Sequence, residues 1–352
     1  MKKDLFIDIF EYTDARYPFQ IFIGGRGTGK TYSAYSGVLG LGVHNIEGKF
    51  IWMRRTDKEL HLMDDKKTGE GIGDIKKINK DFGTNYGFLP INDNLSGVYN
   101  RECTSDGRYE YIGEPIGYGV ALSTLSSIRG MNFDDCSDWI YDEFIPEMHV
   151  KKIKEEGNAL LNAYETINRN REFQGRPPVN LWMLANSNNI YNEIFKTLGL
   201  VSEAEKMVNK GLPDKYFPER GLALHILPPS EAFKEQKANT ALYRLTKGTK
   251  FYEMALENSF AYNDFSLIGY RSVTGYVPMV AIDGAYIYRK KGDSEIYVSY
   301  APARVPSFNS KHKQEAMRFR REYGVRLHPY FISGKIVFET YELKSIVLDA
   351  IL

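Results

Sequence analysis

Cysteine is nearly missing from this chain: Cys103 and Cys136 are the only thiols among 352 residues. Neither sits at metal-ligand spacing from a second ligand. That excludes a disulfide framework or a zinc ribbon and fits a reducing compartment. Long apolar runs are missing too. No window reaches the ~18 residues that read as a membrane span. The N-terminal stretch MKKDLFIDIFEY carries Asp4, Asp8 and Glu11 where a secretion signal would be apolar. No membrane span and no secretion are expected. Net charge is almost absent at +1, so the chain as a whole is not a general polyanion binder. The excess of Lys and Arg over Asp and Glu lies beyond Pro229. There is no internal repeat and no low-complexity tract. With 43% hydrophobic and 26% charged residues the chain can bury one large core or two smaller ones. The 25 Tyr and 20 Phe read as core and half-buried strand residues. The histidines, His44 and His225 among them, show no metal spacing and read as structural.

What is present is an alternation of apolar runs and helical patterns. Phe19–Ile23, Lys49–Met53, Val120–Ser123, Trp139–Tyr141 and Asn180–Ala185 read as buried strands, with helices at Thr31–Leu41 and Ala159–Arg171. This is an α/β pattern with a mostly parallel sheet. From Asp64 to Asn94 the chain reads as a polar surface excursion with one helix at Ile75–Lys80. Short strands follow at Val98–Glu102 and Tyr109–Ile112. The expected division is a domain over 1–199, a Pro- and Gly-punctuated linker over 200–229, and a smaller α/β domain over 230–352. In the last, Ala238–Leu256 reads as helix and Asp283-Gly284 as a hairpin turn between two strands. Glu295–Tyr300 reads as a strand, Ser310–Tyr323 as a basic helix and Lys335–Glu339 as a final strand.

The chemistry is carried by Gly24-Gly25-Arg26-Gly27-Thr28-Gly29-Lys30-Thr31, a P-loop without mismatch between a buried strand and a helix. Its glycines let backbone N–H groups face phosphate oxygens at a helix N-terminus. Lys30 is the candidate phosphate-binding cation and Thr31 a candidate Mg²⁺ ligand. Asp142, ending the Trp139–Tyr141 strand, is the second Mg²⁺ ligand, and Glu143 is the water-polarising base. ATP and Mg²⁺ are thus the expected substrate and cofactor. Asn186 ends the next strand, where ligands gather in parallel sheets. Arg54 and Arg55 end the second strand and are candidates for phosphate or nucleic acid, as are Lys311, Lys313, Arg318, Arg320 and Arg321 of the basic helix. Tyr17–Gln20 is a candidate adenine-holding segment.

These pieces resemble the DNA-packaging ATPases of small podoviruses, the phi-twenty-nine-like group, compact relatives of the large terminase subunits. The similarity runs through the P-loop, Phe50–Arg55, Asp142–Ile145, Arg169–Glu172 and Ala185–Ser187, with a terminase-like loop at Ser127–Phe133. The resemblance implies an ASCE-type P-loop NTPase domain and a C-terminal RNase H-like domain that has lost its nuclease. It implies Arg169 acting in trans as an arginine finger and Asn186 in a coupling motif. It also implies a homo-oligomeric ring, a pentamer, that moves double-stranded DNA through a procapsid portal, with a structural packaging RNA as a further partner. Its location would be the cytoplasm of an infected bacterium, transiently on the procapsid. Two alternatives stay open. One is a motor with an active nuclease, for which Asp283, Asp293, Glu339 and Asp349 are the available acids. The other is a nucleotide-dependent assembly scaffold.

Overall fold

The computed structural model describes residues 5–41, 48–63, 74–128, 130–147, 150, 153–187, 189–249, 251–252, 256, 266–292 and 295–351. His44, Arg129, Asn188, Asp293, the excursion's first part at 64–73 and most of 250–265 lie outside the described residues. The chain forms two compact units, Met1–Leu198 with Met207–Ala261, and Gly199–Lys206 with Tyr262–Leu352. No helix among the described residues is long and apolar enough to cross a membrane.

Among the described residues the first unit is built on nine strands: β1 (Phe19–Gly24), β2 (Lys49–Arg54), β3 (Tyr86–Asn92), β4 (Leu95–Cys103), β5 (Tyr109–Ala121), β6 (Cys136–Asp142), β7 (Asn180–Asn186), β8 (Asp214–Phe217) and β9 (Leu222–Leu227). Their order is β3-β4-β5-β2-β6-β7-β1-β9-β8. The run from β5 to β9 is parallel; β3 with β4, and β8, add antiparallel edges. Successive side chains alternate between the two sheet faces. Phe22, Trp52, Ile140, Trp182 and Leu184 face one core, where α1 (Lys30–Val38) lays Tyr35 flat on Trp52 with ring centroids 3.6 Å apart. On the other face Trp139 stacks on Tyr164 of α4 (Glu156–Asn168). Because both faces are covered, these strands read as continuous apolar runs. Helices α2 (Asp57–His61) and α3 (Asp74–Phe82) follow β2.

Three boundaries differ from expectation. The segment 200–229 is not a linker: it supplies β8 and β9, and β9 pairs with β1 along its whole length. Its Pro and Gly residues mark the turns around an apolar strand, LALHIL. Helices α7 (Glu231–Ala238) and α8 (Ala241–Leu245) also belong to the first unit, as do the helices α5 (Glu193–Leu198) and part of α6 (Val201–Lys210) before them. The two short strands near 109 and 120 are one long β5; Gly113 punctuates it at φ 70° without ending it.

In the second unit β10 (Tyr276–Ile282), β11 (Ala285–Lys290), β12 (Ile296–Ser299), β13 (Ser307–Phe308) and β14 (Ile336–Phe338) form a sheet in the order β13-β10-β11-β12-β14. Asp283 and Gly284 turn the β10–β11 hairpin at φ 46° and 83°, both in the left-handed region such a two-residue turn requires. The basic stretch is α9 (Lys313–Phe319), continued by a π turn (Arg320–Gly324) into α10 (Val325–Ile332); α11 (Tyr341–Ile351) follows. Phe319, Leu327, Leu343 and Val347 close a core with Val280, Ile287, Val298 and Phe338.

Candidate functional site

β1 delivers the chain to Gly24 at the carboxyl edge of the sheet, and α1 begins at Lys30. Between them Gly27 and Gly29 take φ 74° and 104°. A side chain at Gly29 would be strained there and would meet Phe6 Cβ at 3.0 Å. The N-terminal segment clips onto this loop: Ile7 N–H donates to the Thr28 carbonyl at 2.8 Å, and the Ser33 hydroxyl donates to Asp8 at 2.7 Å. Lys30 is buried. Its ammonium donates to the carbonyls of Gly24 and Gly25, each at 3.0 Å. Burial pushes its pKa down to about 8, Asp142 pulling it back and Lys237 adding to the depression. A buried ammonium with only neutral oxygens in hydrogen-bond contact is stabilised by an arriving anion.

Asp142 ends β6 facing α1, and its Oδ1 accepts the Thr31 hydroxyl at 3.2 Å. This pair of hard oxygen donors fits a Mg²⁺ site. Glu143 follows in the left-handed region at φ 56°, a costly conformation for a non-glycine residue and one that gathers at functional sites. It turns outward, its side chain 52% exposed. One guanidinium joins the two acids: Arg54, the last residue of β2, donates to Asp142 at 2.6 Å and to Glu143 at 2.7 Å. Burial opposes the Arg54 charge, and the two carboxylates more than offset it, so its pKa is raised. Asn186 ends β7 opposite Gly24 in the parallel register. Gly27 to Thr31, Asp142, Glu143 and Asn186 border one cavity of about 360 Å³, whose remaining walls include Phe6, Tyr32 and Lys77; Arg54 is not among its walls.

Comparison with known proteins decides the family. The profile of the podovirus DNA encapsidation protein (Gp16) family matches residues 1–346. The chain belongs to that family. It is 28% identical to the DNA packaging protein of Bacillus phage PZA over 77% of this chain and 71% of that one. To the DNA packaging protein of Bacillus phage phi29 it is 28% identical over 74% and 67%. The fold matches the solved phi-29 viral genome packaging motor assembly with a TM-score of 0.59 at 19% identity, covering 98% of both chains. It matches the phi-28 gp11 DNA packaging motor with a TM-score of 0.58 at 18% identity, covering 100% of this chain and 98% of that one.

Not every candidate joins the cavity of this Gp16 family member. Arg55 is corrected: it is buried on the opposite side of the strand end from Arg54, bonding Glu156 through Nε at 2.7 Å and a second nitrogen at 2.9 Å. Tyr141 donates to the same carboxylate at 2.8 Å. Arg55 is therefore structural and out of reach of nucleic acid. Arg54, read as a phosphate or nucleic-acid contact, is engaged by the acids instead. Tyr17–Gln20 lies at the start of β1, the edge away from the P-loop, so it does not border the P-loop cavity. Arg169 follows α4, which runs from the carboxyl edge back to the start of β7. It donates to the Met131 carbonyl at 2.6 Å, just before β6, at the edge opposite Glu143. Lys311, Lys313, Arg318, Arg320 and Arg321 are all exposed. Arg318 pairs with Glu322, and Arg320 donates to the Ala350 carbonyl at 3.2 Å. Asp283 accepts the Ser310 N–H and Glu339 accepts Ser299 and Tyr300. Among the described residues no three His, Cys, Asp or Glu side chains gather as a metal site. His225 is buried in β9, 2.7 Å from Asp214 and stacked on Phe22. Both cysteines are free.

Phe6, Tyr32, Lys77 and the role of Arg54 escaped the sequence reading. Only Arg54 left a trace there, as a charged residue at the carboxyl end of a buried strand.

Proposed function

We propose that the chain is the ATPase of a DNA-packaging motor, hydrolysing ATP and coupling turnover to movement of double-stranded DNA into a procapsid. The observation that carries this reading is the convergence of Lys30, Thr31, Asp142 and Glu143 on one cavity at the carboxyl edge of a parallel sheet. An ASCE-type assignment is supported by β7, which separates the P-loop strand from the acidic strand. Loop amides from Gly24 to Gly29 and the Lys30 ammonium bind the phosphates. Thr31 and Asp142 would hold Mg²⁺, which when bound neutralises phosphate charge. Glu143 accepts the proton of the attacking water, and to do so it must part from Arg54. Asn186 orients the water or the terminal phosphate. Phe6 and Tyr32 offer aromatic faces for the base. Arg169 serves a neighbouring subunit, a reading supported by its place at the sheet edge opposite its own Glu143; a homopentameric ring on the portal, with a packaging RNA, is the corresponding assembly.

For the second unit the proposal is a non-cutting, RNase H-like domain that contacts nucleic acid through Lys311, Lys313, Arg318 and Arg321. Three antiparallel strands with β13 beside the first support the fold assignment, although β14 sits at the far edge beside β12. A water-activating Glu143 speaks against a pure nucleotide-dependent scaffold. The test is ATP turnover by purified protein with and without DNA and empty procapsids. DNA-stimulated turnover that disappears in Lys30→Ala is expected; turnover unaffected by Lys30→Ala would sink the assignment. In the same assay, Arg169→Ala subunits mixed with Lys30→Ala subunits should regain activity if the finger acts across subunits. Plasmid cleavage would overturn the non-cutting reading.

A further inference from the structure

A third cation leans on the P-loop from a distant part of the chain. Lys237, in the last turn of α7, donates through its ammonium to the Arg26 carbonyl, 211 residues away in sequence. The same ammonium lies 3.6 Å from where a Gly27 side chain would begin. It is held over the rings of Phe233 and Tyr243 at 4.7 and 5.0 Å. Among the described residues no carboxylate pairs with it, whereas the neighbouring Arg26 guanidinium is engaged by Glu147. Burial, then the Arg26 charge, pushes the Lys237 pKa down to about 8.

This arrangement costs free energy as it stands. Lys30, Lys237 and Arg26 crowd positive charge around one short loop, partly out of water, and like charges there disfavour one another. Fixing a long lysine chain also costs rotamer entropy. If the contact served only to tack α7 to the loop, a neutral amide would make the same hydrogen bond without the electrostatic penalty. A polyanion in the loop attracts each of these cations and so offsets their mutual repulsion.

We propose that Lys237 is a second phosphate-directed lysine, and that binding of a nucleoside triphosphate moves its ammonium from the Arg26 carbonyl to phosphate oxygens. The helical pair α7–α8 is thereby drawn onto the P-loop when triphosphate is present and relaxes when charge leaves. The inference rests on the ATPase reading above and adds a residue outside the P-loop motif to its nucleotide site.

The experiment measures equilibrium affinity for ATP and for ADP, with Mg²⁺, in the full chain and in Lys237→Met and Lys237→Arg, together with nucleotide-free melting temperature. Charge-assisted hydrogen bonds to phosphate are the strong kind. Lys237→Met should therefore lose about tenfold in ATP affinity, lose less for ADP, melt like the parent, and be partly rescued by arginine. ATP affinity within about twofold of the parent would overturn the assignment. So would equal losses for both nucleotides with a lowered melting temperature, which would mark a structural residue. A parent chain that binds no ATP would instead overturn the nucleotide site itself.

Discussion

The two units differ in where they let buried charges meet. In the first, Lys30, Asp142, Arg55 and Glu156 are all buried, and buried charges face one another across different elements. In the second, the two buried charged residues among those described, Lys344 and Glu205, both contact the main chain. Lys344 donates to the Ser266 carbonyl at 2.8 Å, and Glu205 accepts the Tyr341 N–H at 3.1 Å. The cations of its basic helix are exposed, and Arg318 and Arg321 lie beside Glu322. Both units have well-packed apolar cores, so core quality does not separate them. What separates them is where buried charges face one another, a desolvation cost that a fold bears only where the groups are paired or used.

The comparison can be broken from its strongest end. Glu143→Gln should retain ATP binding and lose at least about 10²-fold in turnover, the scale of a lost catalytic base. Single-turnover kinetics would read this, and a normal rate would leave the exposed acid without a role. Next is the buried Arg55–Glu156 pair. Glu156→Leu strands the Arg55 guanidinium and should cost about 3 kcal/mol, read as an earlier denaturant midpoint. The double change Arg55→Met with Glu156→Leu should recover most of that loss. If the single change were silent, buried charge would not be the marker claimed here. The smallest effect belongs to the exposed cations. Removing Lys311 and Lys313 together should lower the salt dependence of DNA binding by about two phosphate contacts and leave DNA-free ATP turnover unchanged. An unchanged salt slope would mean those side chains only solvate the helix.

How much of this was legible beforehand follows from the range of each signal. The P-loop was readable because its requirements are local: glycines at the turning positions, a cation and a hydroxyl at the helix start. Asp142-Glu143 was readable as acids at the end of an apolar run. Arg54-Arg55 was not. Two identical neighbours at a strand end point to opposite faces, and one joins Asp142 and Glu143 while the other disappears into a structural pair. The segment 200–245 was misread because proline and glycine around LALHIL mark strand turns as readily as a linker. Which meaning applied depended on β1 having an open edge for β9.

Residue order alone specified the α/β pattern, the P-loop and its acidic partners, since periodicity, turn chemistry and motif spacing act between residues a few positions apart. Folding in three dimensions decided the rest: that β7 lies between β1 and β6, that Arg54 bridges both acids, that Arg55 is buried, and that Lys237 comes back to the P-loop. Those outcomes depend on strand pairing and desolvation between segments tens to hundreds of residues apart, and nothing in a local window encodes such contacts.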